Sequence, residues 1–138
     1  MLRTLIVEDN ALFRKALKEI LRTRFPAMAI EEAIDGEEAL RKMNAFDPDI
    51  VFMDIRLPGQ NGLEVTRKIR ATDWTGTIVV LTSYELPEYS NAAYSYGADY
   101  FLTKGGTTGD EIASLINSVE ASCTNIDFPV AQSRSPGV

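Results

Sequence analysis

Short apolar runs recur along the chain, and each is followed by a segment of helical periodicity. Five such runs are rich in apolar and β-branched residues and cover positions 2–7, 28–33, 50–53, 77–81 and 100–102. The run at 50–53, Ile-Val-Phe-Met, is apolar throughout, which is typical of a strand buried on both faces of a parallel sheet. The pattern therefore predicts five strands.

The segments between the strands have the spacing of amphipathic helices. In the first of them Phe13, Leu17 and Leu21 recur at intervals of four, so that they share one face of a helix. Residues that start or stop helices flank the other segments: Asp35 with Glu38, Asn61 with Glu64, Pro87, Gly97, and Thr108 with Glu111. Helical connections of this length allow parallel pairing with right-handed crossovers. We therefore expect an α/β fold, a doubly wound five-stranded parallel sheet with five helices.

Composition limits the class of protein. The chain of 138 residues suits one domain over 1–121, followed by an unpatterned segment over 122–138 that we expect to be a flexible tail or linker. The net charge of −6 argues against binding to nucleic acid or a membrane surface. Cys123 is the single cysteine, which excludes an internal disulfide and suits a reducing compartment. No apolar run approaches the roughly 18 residues that span a bilayer, so we expect a cytoplasmic protein.

Polar side chains stand where four of the predicted strands end. Glu8 and Asp9 follow the first strand, Asp54 the third, Thr82 the fourth and Lys104 the fifth. In a doubly wound sheet the carboxyl ends of the strands form the crevice in which ligands bind. The sequence therefore predicts one site made of three acids, a hydroxyl and an ammonium group.

These residue types favour phosphoryl transfer on a metal ion. Three carboxylates in one site repel one another unless a cation neutralises them, and the chain has no histidine. Oxygen ligands alone favour Mg²⁺, which retains waters and bridges to phosphate oxygens. Asp54 would be the nucleophile that forms an aspartyl phosphate, while Mg²⁺ and Lys104 neutralise the charge on the phosphoryl oxygens.

The motifs in this order resemble the receiver domain of two-component response regulators. The resemblance covers about residues 2–121 and rests on Glu8-Asp9, Asp54 with Leu57-Pro58-Gly59, Thr82-Ser83, Gly97-Ala98 and Lys104. It implies a flavodoxin-like strand order 2-1-3-4-5, Mg²⁺ as cofactor, and a histidine kinase or histidine phosphotransfer protein as phosphodonor. It also implies a signalling switch, rather than an enzyme with a separate substrate, that catalyses its own phosphorylation and dephosphorylation.

The same resemblance implies a role for each matching residue. Asp54 would be the phosphoacceptor, with Lys104 and Thr82 as its catalytic partners. The expected metal ligands are Asp9, Asp54, Glu8 (through water) and the backbone carbonyl of Arg56. Ser83 and Ile55 would contact the phosphoryl group, and Thr82 with Phe101 would form the switch.

Partner surfaces follow from the resemblance as well. A phosphodonor would dock on the helix that begins at Ala11, beside Ala11 and Leu12. The helix from Pro87 to Tyr96, the fifth strand and the last helix would form the homodimer or output surface. Gly105 replaces the proline that follows the lysine in many receivers, and this variant is similar to receivers joined to LuxR-type DNA-binding domains.

Three alternatives use related chemistry. A flavodoxin-like mononucleotide binder would need a Gly/Ser/Thr-rich phosphate loop where Glu8-Asp9-Asn10 stands, and this acidic loop repels phosphate unless a metal intervenes. A phosphohydrolase of the haloacid dehalogenase type places its nucleophile and a second aspartate two residues apart after the first strand, a pattern that this chain lacks. A receiver-like module that only binds partners would fail to label with a small phosphodonor.

Overall fold

The computed structural model describes residues 2–83 and 86–124. In chain order the elements are β1 (Arg3–Val7), α1 (Ala11–Arg24), β2 (Ala29–Ala33), α2 (Gly36–Phe46), β3 (Ile50–Met53), β4 (Arg56–Leu57), β5 (Gln60–Asn61), α3 (Gly62–Arg70), β6 (Thr77–Thr82), α4 (Pro87–Ser95), β7 (Tyr100–Thr103) and α5 (Gly109–Thr124). Every predicted strand is present, within one residue at either end. The short hairpin of β4 and β5 was not predicted.

Five strands form one parallel sheet in the order β2-β1-β3-β6-β7. Because β4 and β5 lie outside this sheet, the order is the expected 2-1-3-4-5, which is confirmed. The order reverses between β1 and β3, where Val7 pairs with Met53. A crevice therefore opens beyond these two strand ends, and the polar residues after them lie at its floor.

The strands divide the core into two clusters, one on each face of the sheet. In β3, Val51 and Met53 belong to the first core cluster, and Ile50 and Phe52 belong to the second. The first core cluster packs under α2, α3 and α4 and includes Met43, Leu63, Val65, Ile69 and Ala93. The second core cluster packs under α1 and α5 and includes Leu17, Leu21, Ile112, Leu115 and Ile116. Burial on both faces explains why the whole of β3 is apolar.

Side-chain caps begin the helices at the predicted positions. The amide of Glu38 donates to Asp35 Oδ1 at 2.8 Å, which satisfies one orphan donor of α2. Thr108 and Glu111 form a reciprocal capping box, with bonds of 2.8 and 3.1 Å.

The hairpin after β3 closes tightly behind Asp54. The antiparallel pair of β4 and β5 turns at Gly59, whose φ is +76°, a value that glycine adopts at low cost. The amide of Gly62 then donates to the carbonyl of Ile55 at 2.7 Å. A Cβ atom at position 62 would lie 1.8 Å from the backbone oxygen of Asp54. Only glycine allows α3 to begin so close to Asp54.

The last helix passes the predicted domain boundary at residue 121. α5 ends at Thr124, and the rest of the predicted tail over 122–138 lies outside the described residues. Over the part of the chain that the structure describes, every helix is too short or too polar to cross a bilayer.

Candidate functional site

Two backbone hydrogen bonds place the buried acids at the edge of the sheet. The amide of Glu8 donates to the carbonyl of Ala33 at 2.9 Å, and the amide of Asp54 donates to the carbonyl of Val7 at 3.0 Å. Each bond continues the strand ladder one residue past β1 or β3. Both side chains therefore start from rigid backbone rather than from a loose loop.

The three predicted carboxylates lie together. One oxygen atom each from Glu8, Asp9 and Asp54 falls within 4.8 Å of the other two. Glu8 is 3% and Asp54 6% exposed, whereas Asp9 is exposed to solvent. Buried carboxylates cost free energy unless cations or hydrogen bonds offset them. The three carboxylates therefore need positive charge close to them to offset their burial and mutual repulsion.

Lys104 meets part of that demand. Its Nζ lies 2.7 Å from Glu8 Oε1 and 3.6 Å from Asp54 Oδ2. The Lys104 amide also donates to the carbonyl of Thr82 at 2.8 Å, which joins the ends of β6 and β7. One ammonium group against three carboxylates leaves a formal excess of two negative charges. A divalent cation with oxygen ligands fits that excess.

The charge imbalance is visible in the pKa of Asp54. Burial, followed by the charge of Glu8, raises this pKa from 3.8 to about 6, although Lys104 and the amide of Ile55 act in the opposite direction. The Ile55 amide donates to Asp54 Oδ1 at 2.9 Å. Without a metal ion, Asp54 therefore takes up a proton at a higher pH than an ordinary aspartate does, and a bound cation would favour its carboxylate form.

Helix capping does not account for the two acids after β1. The N-cap of α1 is Asn10, whose Oδ1 accepts from the amide of Phe13 at 3.0 Å. Glu8 Oε2 instead accepts from the Asn10 amide at 3.0 Å, while its Oε1 contacts Lys104. Glu8 is thus held by a cation on one oxygen and a backbone amide on the other.

The remaining predicted residues occupy the same edge or its surroundings. Thr82 is the last residue of β6 and is fully buried, and Ser83, which follows it, is exposed. Ile55 is buried and Arg56 exposed beside Asp54. Phe101 is partly buried against the first core cluster. The register pairs Val80 with Phe101 and Thr82 with Thr103, so Phe101 and Thr82 are diagonal neighbours on one face of the sheet.

One contact of the site was missed by the sequence analysis. The Nζ atom of Lys104 lies 4.5 Å from the centroid of the Phe13 ring, whereas helical spacing indicated only that Phe13 faces the core. The ring is indeed partly buried against the second core cluster. Its position one helical turn beyond Asp9 was the available signal, but spacing alone does not reveal which strand end the ring meets.

Comparisons with known proteins agree with the geometry. A family model described as the response regulator receiver domain matches residues 4–117. The chain is 36% identical over 102 residues to the chemotaxis protein CheY of Halobacterium salinarum, covering 74% of this chain and 83% of that protein. It is 30% identical over 115 residues to the response regulator GacA of Pseudomonas viridiflava, covering 83% of this chain and 54% of GacA.

Solved structures give the same result. A two-component response regulator of the LuxR family from Aurantimonas sp. SI85-9A1 superposes with a TM-score of 0.80 at 32% sequence identity, covering 88% of this chain and 86% of that chain. The chain nevertheless spans little more than half the length of several curated relatives that it matches, such as GacA. The similarity to these longer proteins therefore covers only one part of each of them.

Proposed function

The chain belongs to the response regulator receiver domain family of two-component systems, and from this premise we propose that it accepts a phosphoryl group on Asp54 in a Mg²⁺-dependent reaction. The observation that carries the proposal is the cluster of Glu8, Asp9 and Asp54 with Lys104 between two of its members. Such a cluster suits a nucleophilic carboxylate whose reaction adds negative charge beside it.

The reaction is a displacement at phosphorus. A carboxylate oxygen of Asp54 attacks the phosphorus of a phosphohistidine, and the P–N bond breaks. The leaving imidazole keeps the electron pair of that bond and takes a proton from water. The product is an acyl phosphate, which water later hydrolyses to restore the carboxylate and release inorganic phosphate. The domain thereby catalyses its own phosphorylation and dephosphorylation.

The donor set fits a hard divalent cation. Asp9 and Asp54 would bind Mg²⁺ directly, Glu8 through water, and the backbone carbonyl of Arg56 as a further ligand. The excess of carboxylates over ammonium groups at this point supports that assignment. When bound, Mg²⁺ neutralises charge on the phosphoryl oxygens.

The chain supplies the remaining contacts to the phosphoryl group. Lys104 approaches from the Glu8 side, the amide of Ile55 already points at Asp54, and Ser83 and Thr82 stand at the end of the neighbouring strand. Preorganised donors of this kind stabilise developing charge without reorganisation during the reaction. Lys104 and Thr82 therefore act as the catalytic partners of Asp54.

Phosphorylation changes the position of Thr82 and Phe101. The new group adds roughly −1.5 to −2 charges, and charge-assisted hydrogen bonds from Thr82 and Lys104 contribute about 1.5–3 kcal/mol each. Moving a two-state equilibrium from 1:99 to 99:1 takes about 5.5 kcal/mol, and two or three such bonds are of that order. Because Thr82 and Phe101 are neighbours on one face of the sheet, a move of Thr82 towards Asp54 opens space for the ring of Phe101.

The phosphodonor is a histidine kinase or a histidine phosphotransfer protein. Ala11 and Leu12 begin α1 beside the acidic cluster, and Leu12 is 82% exposed. The exposed side chain of Leu12 is accessible to such a partner. The donor would thus place its phosphohistidine over Asp54 while it contacts the first turn of α1.

The output surface lies on α4, β7 and α5. Tyr94 on α4 and Tyr100 on β7 are 51% and 37% exposed, and aromatic residues are enriched in protein interfaces. Leu86, the N-cap of α4, is 56% exposed beside them. We assign this surface to a homodimer whose formation depends on phosphorylation. Gly105 and the LuxR-family neighbour support the assignment of the domain to a LuxR-type transcriptional regulator.

Labelling with a small phosphodonor tests the function. The protein is incubated with acetyl phosphate and Mg²⁺, and its intact mass is followed. An increase by one phosphoryl group, removed by hydroxylamine and absent with EDTA, is the expected result. No increase would favour a purely interacting module, continuous release of phosphate over many turnovers would favour a phosphohydrolase, and a flavin-coloured preparation would favour a mononucleotide binder.

A further inference from the structure

The ring of Phe13 lies against the ammonium group of Lys104. Nζ lies 4.5 Å from the ring centroid, within the range of about 6 Å over which an aromatic face attracts a cation. The side chain of Lys104 is 15% exposed, so water screens this contact only partly. The other described partners of Nζ are the two anions of Glu8 and Asp54.

Four contacts join Phe13 and Lys104 to Glu8 in a closed circuit. Nζ of Lys104 contacts Glu8 Oε1 at 2.7 Å, and Glu8 Oε2 accepts from the Asn10 amide at 3.0 Å. Asn10 Oδ1 accepts from the Phe13 amide at 3.0 Å, and the ring of Phe13 returns to Nζ. The first turn of α1 therefore sets the position of both the anion and the ring that hold the ammonium.

The ring itself has little freedom to move. Phe13 lies in the first turn of α1 and packs against the second core cluster, and its amide donates to the N-cap Asn10. Lys104 differs, because its ammonium group stands at the end of a flexible four-carbon stem. Movement of the ring would disturb the packed core. The ring therefore restricts the position of the ammonium group, and the ammonium group does not displace the ring.

An aromatic ring suits this position better than the alternatives. An acid at position 13 would add another negative charge to a site that already has three carboxylates, and it would compete with the phosphoryl group for Lys104. An aliphatic side chain would exclude water but would not attract the ammonium. The quadrupole of the ring attracts the cation and leaves its charge available to a phosphoryl oxygen.

We propose that Phe13 is a positioning residue that holds the ammonium of Lys104 beside Asp54 for phosphoryl transfer. When a bound cation neutralises Glu8, Lys104 loses its closest ionic partner. The ring then keeps the side chain of Lys104 from extending into solvent. This inference rests on the proposed phosphorylation of Asp54. It adds a residue that acts through Lys104 and touches neither metal nor phosphoryl group.

The first test measures the contact itself, independently of phosphorylation. In the NMR spectrum, the ε-methylene protons of Lys104 should be shifted upfield by the ring current of Phe13. Phe13→Leu should abolish this shift, and Phe13→Tyr should retain it. A wild-type shift at the position of an exposed lysine, or an unchanged shift in Phe13→Leu, would overturn the proposal.

The second test measures the rate of phosphorylation by acetyl phosphate at saturating Mg²⁺. Phe13→Leu should lower the maximal rate by about five- to tenfold, with little change in the acetyl phosphate concentration that gives half of that rate. Phe13→Tyr should stay within about twofold of wild type, because it keeps the aromatic face. If Phe13→Leu does not fold, Phe13→Met, which conserves more volume, replaces it with the same expectation.

Phe25 provides a matched control at the opposite end of α1. It is also a partly buried phenylalanine packed against the second core cluster, so Phe25→Leu should lose similar packing. It should leave the Lys104 resonance and the maximal rate unchanged. Equal slowing by Phe25→Leu and Phe13→Leu would reduce Phe13 to a core residue and overturn the proposal. Absence of phosphorylation in the wild type would instead contradict the proposed function and leave the NMR comparison valid.

Discussion

The ammonium of Lys104 lies 3.6 Å from the nearest carboxylate oxygen of Asp54, beyond ordinary hydrogen-bond distance. Its shorter contact, 2.7 Å, is with Glu8. Lys104 therefore offsets the burial of Asp54 only partly, which explains why the pKa of Asp54 remains raised to about 6. Without a bound cation, the charge of Glu8 and the burial of Asp54 are offset only in part, and a divalent cation would offset them further.

The raised pKa of Asp54 predicts how the stability of the protein depends on pH in the absence of metal. The folded-state pKa of Asp54 is about 6 and its ordinary value is 3.8, so between these values the folded protein binds more protons than the unfolded chain. The free energy of unfolding should therefore rise as pH falls from about 7 towards 4. Asp54→Asn should remove this rise and add about 1 kcal/mol at pH 7.5 in EDTA, after allowance for solvent screening.

Urea unfolding at pH 5 and pH 7.5 measures the effect. Asp73→Asn is a suitable control, because Asp73 is an exposed aspartate in the turn after α3. It should leave the pH dependence unchanged. An Asp54→Asn variant that is less stable than wild type at pH 7.5 in EDTA would contradict the electrostatic account.

Magnesium should stabilise the protein through the same carboxylates. At a concentration of Mg²⁺ about a hundred times its Kd, binding to the folded state alone adds about 2.7 kcal/mol to the free energy of unfolding. Asp9→Asn removes an exposed member of the cluster and should abolish most of this gain. Thermal unfolding during a Mg²⁺ titration gives the measurement, and equal gains in wild type and Asp9→Asn would exclude Asp9 as a ligand.

Loss of the lysine should expose the cost of the buried acids. Lys104→Met removes the cation from Glu8, which is 3% exposed, and should destabilise the metal-free protein by about 3 kcal/mol. Saturating Mg²⁺ should recover part of that loss, because the ion supplies positive charge to the same oxygens. Denaturant unfolding with and without Mg²⁺ checks both statements. A variant as stable as wild type in EDTA would show that Lys104 is not needed to offset Glu8.

Gly62 should be intolerant of any side chain. A Cβ atom there would meet the carbonyl oxygen of Asp54 at 1.8 Å, whereas a Cβ atom at Gly105 meets nothing within 4 Å. Gly62→Ala should therefore destabilise the protein by more than about 2 kcal/mol and slow phosphorylation by displacing Asp54. Gly105→Ala should stay within about 0.5 kcal/mol of wild type. Similar unfolding midpoints for the two variants would contradict this account of the hairpin.

Much of the fold follows from local chemistry along the chain. The apolar run Ile50–Met53 predicted a strand buried on both faces. The structure confirms this, because residues of this strand belong to both core clusters. Asp54 stood out because a lone acid at the end of such a run needs compensation. The hairpin of β4 and β5 escaped prediction, since two strands of two residues each are too short for a periodic pattern.

Side-chain pairing within the site was harder to predict than its membership. Strand ends brought Glu8, Asp54 and Lys104 to one edge, but the preference of Lys104 for Glu8 depends on a difference of less than an ångström between two distances, 2.7 Å to Glu8 and 3.6 Å to Asp54. The contact with Phe13 depends on how α1 crosses the sheet. Periodicity identifies the buried face of a helix and carries no information on that crossing.

The central claim is that Asp54 accepts the phosphoryl group. After incubation with acetyl phosphate and Mg²⁺, intact mass spectrometry should find one added phosphoryl group on wild type and on Asp73→Asn, and none on Asp54→Asn. Peptide mapping of the wild type should locate that group at position 54. Labelling of Asp54→Asn at the wild-type rate, or a label mapped to another residue of the wild type, would contradict the account.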